Sequence, residues 1–413
     1  MKKTFLIIST IFVFLFSSCF TPMEPEFQTS MRELTGAERK SIEAGTAFGI
    51  NIFSEMSKEE TGENLFISPL SISIALGMAL NGAKGETYDE IRDVLKHSGL
   101  SLEEINKSYQ GLISLFPYLD HAVTLDIANS SWNRQGFNVE PDFLERLEKY
   151  FDAEVRELDF NKPEAVDIIN NWVAQKTNDL IQEIIEAIDP LTMMYLINAI
   201  YFKGSWTAEF DPDDTRDDDF TRADGTKIPI KMMEQENDFY YLYNDLFQAV
   251  DLPYGDGLFS MTILLPHEEI SVDEIADELS EDIWNDWMNS FPDEKKGIKL
   301  QLPRFTMEYK KSLVGVLKTL GMEKAFSPNE ADLSGISTQY DDLHISDVIH
   351  KTYLKVNEEG TEAAAVTAIV VGPISVEPSI PVVRIDRPFI LAIREHHSGS
   401  ILFIGKVYEP ESE

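Results

Sequence analysis

Histidine, cysteine, serine and the carboxylates carry most side-chain chemistry, and in this chain of 413 residues they are scattered. The seven histidines are His97, His121, His267, His344, His350, His396 and His397, with no His-Glu-x-x-His pair at zinc-ligand spacing. No Gly-x-Ser-x-Gly turn presents a nucleophilic serine. A Ser-His-Asp triad needs its members to meet only in space, which sequence does not decide. Gly82-Ala-Lys-Gly-Glu-Thr87 lacks the Gly-Lys-Ser/Thr ending of a phosphate loop and reads as a turn between helices. The acidic stretch 211–219 lacks the glycine and the bidentate glutamate of a calcium loop and reads as a solvated loop. No metal, cofactor or catalytic machinery is expected.

The formal net charge of -37 repels nucleic acid and anionic lipid, so neither is expected as a partner. With 43% hydrophobic residues the chain can bury a sizeable core. Residues 1–18 carry Lys2 and Lys3, an apolar run over 5–16, and small Ser17 and Ser18, the pattern of a secretory leader. The single cysteine, Cys19, follows directly. It resembles the lipid-modified cysteine of a bacterial lipoprotein, although Phe16 stands where that motif prefers leucine. A secreted or cell-surface protein is expected, its only membrane contact a lipid on Cys19. A flexible tether over 19–36, one domain over 37–410 and a short tail over 411–413 complete the organisation.

The stretch 355–389 is where spacing is most informative. Gly360 supplies a backbone hinge, and Thr361, Ala363, Ala365, Thr367, Ile369 and Val371 recur with period two, as one face of a strand would. The three alanines are poor strand formers, so the segment is able to pair without being committed to it. An ordinary core strand after a charged turn is the simpler reading. Against it, 372–381 carries three prolines, and a connection that long in a compact domain is usually functional or disordered.

The remaining elements frame that loop. Helices are expected over 85–96, 101–118, 140–150, 163–185, 271–290 and 310–320, and another after Pro69. Strands are expected over 122–134, 193–202, 343–356, 382–393 and 400–407, with one ending near Phe305 and hairpins between 220 and 265. Ser68 and Ser71 interrupt an apolar run, which suggests a polar pocket.

Glu359-Gly360-Thr361-Glu362-Ala363-Ala364-Ala365 resembles the hinge of a serpin reactive loop, and Val-Arg-Ile-Asp-Arg-Pro-Phe-Ile-Leu-Ala-Ile over 383–393 resembles the same family's C-terminal signature. The resemblance implies an α+β serpin fold: eight to nine helices around three β-sheets, with a large central sheet and an exposed reactive-centre loop over 358–380. It also implies a suicide-substrate inhibitor rather than an enzyme, a monomer that traps its target serine protease, or alternatively a cysteine protease, in a covalent complex when the cleaved loop enters the central sheet. By counting from the hinge the attacked bond is Ile374-Ser375, suited to an elastase-like or subtilisin-like protease. Ser68, Ser71, Asn198 and His350 match the family's shutter, and Trp206 the place where the sheet first opens. Val366 is larger than the residue usual at its position, and Thr177-Asn-Asp-Leu replaces an expected Gly-Lys pattern. The alternative is a non-inhibitory member acting in binding or scaffolding, whose loop is merely cut.

Overall fold

Thr35 opens the first helix with a capping box: its hydroxyl accepts from the Glu38 N–H while the Glu38 carboxylate takes the Thr35 N–H. The computed structural model describes residues 32–361 and 380–411. The leader, Cys19 and the tether as far as residue 31 lie outside the described residues, as do Glu362, Ala363, Ala364, Ala365, Ile374 and Ser375. Helix α1 is Gly36–Glu59, and Leu34 is already buried, so residues 34–36 belong to the fold rather than to a tether. At the other end the Glu411 carbonyl accepts from the Thr306 N–H, at 3.0 Å, which ties down the first residue of the expected tail.

Strand β1 (Leu65–Ile67) leads to α2 (Pro69–Leu80), whose first turn takes Pro69 and whose cap is Ser68. Then come α3 (Gly85–Val94), α4 (Leu102–Leu115), β2 (Val123–Arg134), α5 (Pro141–Phe151), β3 (Ala153–Leu158), α6 (Glu164–Lys176) and β4 (Met194–Ser205). The middle of the chain supplies β5 (Arg216–Thr221), β6 (Lys227–Tyr243), β7 (Phe247–Tyr254), β8 (Phe259–Pro266), α7 (Val272–Glu278) and α8 (Glu281–Asn289). The last part gives β9 (Lys296–Ser312), α9 (Val314–Thr319), β10 (Ile349–Val356), β11 (Gly360–Thr361), β12 (Val382–Arg384), β13 (Phe389–Glu395) and β14 (Ile401–Val407).

The central sheet has the order β9-β10-β11-β4-β2-β3. A second sheet runs β1-β14-β13-β8-β7-β6, and a third pairs β5 with β6, β6 with β9 and β9 with β12. The 17-residue strands β6 and β9 pass from one sheet to the next and so join all three. Alternation along β4 divides its side chains between two cores. Ile200 and Phe202 enter the main one with Tyr254, Phe259 and Phe403, while Ile197 and Ala199 pack under α6 against Trp132, Ile169 and Trp172.

Several elements differ from the sequence reading for identifiable reasons. Helix α6 stops at Lys176, not near 185, because Asn178 and Asp179 take left-handed φ values of 49° and 64°. The apolar positions that prolong the helical pattern, Ile181, Ile184 and Ile185, instead cover the α6 core from a non-helical segment. Strand β9 continues seven positions past Phe305 to Ser312, paired throughout with β10. One helix expected over 271–290 is two, each started by its own serine cap, Ser271 and Ser280. Strand β3 is unforeseen, and part of the acidic stretch is not loop. Asp217, Asp218 and Asp219 lie on edge strand β5, where Lys231 and Arg384 pair with the first two at 2.7 and 2.8 Å.

Candidate functional site

Strands β4 and β10 are neighbours in the central sheet that share no direct pairing among the described residues; the two-residue β11 joins them at one end. Gly360 lies opposite Ser205 and Thr361 opposite Gly204, and on the other side Thr361 lies opposite Val356. Both contacts are antiparallel, so β11 sits as a strand inside the sheet with β4 and β10 parallel to each other.

A turn feeds the chain into that position. The Asn357 side-chain oxygen accepts from the N–H groups of Glu359 and Gly360, both at 3.1 Å, in an Asx-type turn. Gly360 has φ of 152°, and a Cβ there would run into the Gly204 carbonyl oxygen, so glycine is required by both conformation and space. Trp206 is clamped to the same turn: its N–H donates to the Glu359 carbonyl at 2.9 Å and its indole Nε1–H to the Asn357 carbonyl at 3.0 Å. Glu358 is buried, its carboxylate accepting from the Thr215 hydroxyl at 2.7 Å with Arg304 at 3.7 Å. Glu209, close to Glu359, has its carboxyl raised by burial and then by the Glu359 charge.

Thr361, the last residue of the hinge within the described part, points into the core, where its hydroxyl meets the Tyr254 phenol at 2.7 Å. Tyr254 stacks in turn on Trp206, with ring centroids 4.4 Å apart and planes 12° from parallel. Sequence reasoning missed Tyr254, which lies about a hundred residues from the loop in a run of apolar strand with no motif around it. Thr177 stood out in the sequence only as part of a departure from the family pattern, with no role attached. That side chain accepts from the Ile181 N–H, donates to the Val173 carbonyl and lines, with Thr361, a cavity of about 20 Å³ between β4 and β10. The departure at Thr177-Asn-Asp-Leu thereby acquires a role: it ends α6, and the Thr177 hydroxyl ties the following segment back to that helix.

Further along, the gap between β4 and β10 widens into a cavity of about 610 Å³, lined by Ser71, Leu196, Asn198, Ile349 and His350 among others. Of the four residues matched to the shutter, Ser68, Ser71 and His350 meet in one group, while Asn198 bonds elsewhere. His350 Nε2 accepts from the Ser68 N–H at 3.0 Å, and the Ser68 hydroxyl donates to the Leu402 carbonyl and caps the Ser71 N–H. Burial lowers the His350 pKa to about 3, so the ring is neutral with its proton on Nδ1. Asn198 turns away from His350 to Asn129, donating to its side-chain oxygen at 2.8 Å, while Asn129 donates to the Phe151 carbonyl. The Asn198 side-chain oxygen is buried and has no partner among the described residues.

One serine, histidine and aspartate do meet in space. His396 Nε2 is 2.8 Å from the Ser260 hydroxyl, which donates to Asp251 at 2.8 Å. Burial works to raise the Asp251 carboxyl, but the hydrogen bond from His396 and the charge of Arg394 outweigh it, and the group is held well below the usual carboxylate range. Ser260 is fully buried in β8 and already bonded to the aspartate, so this cluster ties strands together and presents no nucleophile to a substrate.

Comparison with known proteins shows the same fold elsewhere. The family model described as serpin (serine protease inhibitor) matches residues 43–410. Neuroserpin of Gallus gallus is 36% identical over 375 residues, covering 88% of this chain and 90% of that protein. The solved structure of a thermophilic serpin, tengpin, in the native state superposes with a TM-score of 0.82 at 32% identity, over 92% of this chain and 96% of that one. Human thyroxine-binding globulin, solved in complex with thyroxine, gives a TM-score of 0.82 at 28% identity, over 91% of this chain and 100% of that one. The chain belongs to the serpin family, and its nine described helices and large central sheet are the serpin fold.

Proposed function

We propose that this serpin is a suicide-substrate inhibitor of serine proteases with elastase-like or subtilisin-like specificity. The observation that carries the reading is the two-residue β11, which occupies the head of a gap between β4 and β10 and leaves the rest of that gap without a strand among the described residues. A protease attacks the bond Ile374-Ser375: its serine oxygen bonds to the Ile374 carbonyl carbon, the Ser375 amine leaves, and an acyl-enzyme ester remains. The freed segment behind Thr361 then continues β11 down the gap as a full strand, carrying the tethered protease with it.

About 14 residues from Gly360 to Pro373 at roughly 3.3 Å each span ~45 Å, a displacement large enough to distort the attached active site before water hydrolyses the ester. Hydrogen bonds at about 0.5–1.5 kcal/mol each nearly cancel an ordering cost of about 1–2 kcal/mol per residue. The drive therefore comes from closing the gap and its 610 Å³ cavity, which leaves the uncut form kinetically held. Ile374 fits a protease pocket of medium aliphatic size. The leader over 1–18, with Cys19 directly after it, supports a secreted or cell-surface protein with a lipid anchor on that cysteine, and no helix among the described residues is long and apolar enough to cross a membrane.

The test is to mix the mature protein with an elastase-like serine protease and run a denaturing gel. A band near the summed mass, with a released fragment beginning at Ser375, supports trapping at that bond. Cleavage without such a band across several proteases transfers the reading to a binding serpin, the class to which the hormone-bound globulin points.

A further inference from the structure

Asp120, His121 and Asp256 each bring one ligand atom within 4.8 Å of the other two, Asp120 and His121 from the approach to β2 and Asp256 from the turn between β7 and β8. Spacing along the chain conceals the group, because Asp256 joins the other two only through the fold. Asp120 is the fixed member. It is 2% exposed, and its two carboxylate oxygens accept from the Ala122 N–H at 2.9 Å and from the Asp256 N–H at 2.8 Å. A Cβ on Gly255 would run into that carboxylate, and the Gly255 φ of 49° is left-handed, so the turn is shaped to let Asp120 approach. With one N–H on each oxygen, a second lone pair on each stays available to a ligand.

His121 and Asp256 are the adjustable members. Both are exposed, and His121 Nδ1 lies 3.1 Å from an Asp256 carboxylate oxygen. An exposed pair of that kind adds little to stability, and it does not account for a second carboxylate set beside the buried one. On a chain of net charge -37, two carboxylates this close repel each other, and a cation between them turns the repulsion into attraction. Metal bonds of about 2.0–2.2 Å at tetrahedral angles hold neighbouring ligand atoms ~3.4 Å apart. The 3.1 Å pair already stands near that separation, and rotation of the two exposed side chains brings it onto Asp120. One imidazole with two carboxylates suits zinc and its neighbours, whereas calcium requires six or more oxygens.

We infer that Asp120, His121 and Asp256 form a site for one divalent cation of the zinc class, with water at the remaining position, and that the cation staples the β7–β8 turn to the start of β2. The site thereby joins the second sheet to the central one. The same turn is tied to the end of β4, where the Gly255 N–H donates to the Ser205 carbonyl at 2.9 Å and the Thr207 hydroxyl to the Gly255 carbonyl at 2.7 Å. Tyr254, the residue before Gly255, is the partner of Thr361. A cation here steadies the turn against which the hinge rests and touches no part of the loop. The inference stands apart from the insertion mechanism.

The experiment titrates zinc chloride into the untagged mature protein, stripped of metal with a chelator, and follows both the heat of binding and the thermal midpoint. One zinc per chain should bind, and the midpoint should rise by roughly 3 °C at zinc a hundredfold above the dissociation constant. His121→Ala and Asp256→Asn should each weaken binding by about tenfold or more, the least that even an outer-shell change costs a metal site. Both side chains are exposed and pair with each other, so the fold survives their loss. His121→Cys supplies a thiolate instead of an imidazole: it should keep the affinity and add a sulfur-to-metal absorption band when cobalt(II) replaces zinc. That rescue separates a metal ligand from a member of a surface ion pair. His267→Gln, at the far end of β7 and β8, should bind as the wild type does. No zinc binding by the wild type, unchanged binding in both His121→Ala and Asp256→Asn, or an equal response to calcium chloride would overturn the site.

Discussion

The hydroxyl of Thr361 lies 2.7 Å from the phenolic oxygen of Tyr254, inside a core closed by Trp206 and Phe202. The first hinge side chain to enter the sheet is therefore read by a buried polar atom as well as by shape. Burial raises the Tyr254 phenol above its ordinary range, so at neutral pH it is a donor or acceptor and never an anion.

Replacing Thr361 by arginine would force a guanidinium against that phenol, where no carboxylate among the described residues bonds to it. Thr361→Arg should abolish the covalent complex and turn the loop into an ordinary substrate, read as cleavage without a high-mass band. Thr361→Val keeps the shape but leaves the Tyr254 hydroxyl unsatisfied at a cost of about 1–3 kcal/mol, and should slow trapping without abolishing it.

Gly360→Ala tests whether β11 is held by its close approach to β4. A methyl there meets the Gly204 carbonyl, and the φ of 152° is strained for any residue with a Cβ. The expected outcome is release of the turn from Trp206, whose indole loses the Asn357 carbonyl. Tryptophan fluorescence should shift to longer wavelength in this variant while far-ultraviolet circular dichroism stays unchanged.

How much of this could be read in advance follows from where the constraints lie. Gly360 was legible as a hinge because its lack of a Cβ is a local property, whereas the period-two set beyond Thr361 lies outside the described residues. Ser68, Ser71 and Asn198 were legible only as polar positions in apolar runs, and their pairing was not. Asn198 meets Asn129 and Ser68 meets His350 only because β2, β4, β10 and α2 converge. Edge strand β3 escaped notice because Glu154, Arg156 and Glu157 give it no apolar alternation. The end of α6 escaped because Ile181, Ile184 and Ile185 keep a helical period while the backbone at Asn178 and Asp179 has turned left-handed.

Acid should weaken the fold through its buried histidines. An unfolded histidine titrates near pH 6.5, whereas His350 in the fold titrates at about 3 and His97 at about 4, both lowered by burial. Between those values the unfolded chain binds protons that the folded one refuses. Their contribution is thus complete above pH 6.5 and falls away as pH drops towards 3. For His350 alone the loss by pH 4 is on the order of 3 kcal/mol. Urea midpoints between pH 8 and 4 should fall steeply for the wild type and less steeply for His350→Gln, whose amide oxygen can still accept from the Ser68 N–H.

Lys406 offers a prediction about stability that is independent of the hinge. It lies fully buried in β14, donating to Asp273 of α7 at 2.6 Å and to the Ser57 carbonyl of α1 at 3.0 Å, while the Tyr408 hydroxyl donates to the other Asp273 oxygen. A buried ion pair adds little net energy over an apolar replacement, because desolvation offsets most of the attraction, but removing one partner strands the other. Lys406→Met should therefore lower stability by about 3 kcal/mol, somewhat moderated because Asp273 retains partial exposure and its bond from Tyr408. Adding Asp273→Asn removes the stranded charge and should recover a large part of the loss. Chemical denaturation of the two variants measures both steps. Because none of the partners belongs to the gap between β4 and β10, the stoichiometry of protease trapping by Lys406→Met should match the wild type at temperatures where it is folded.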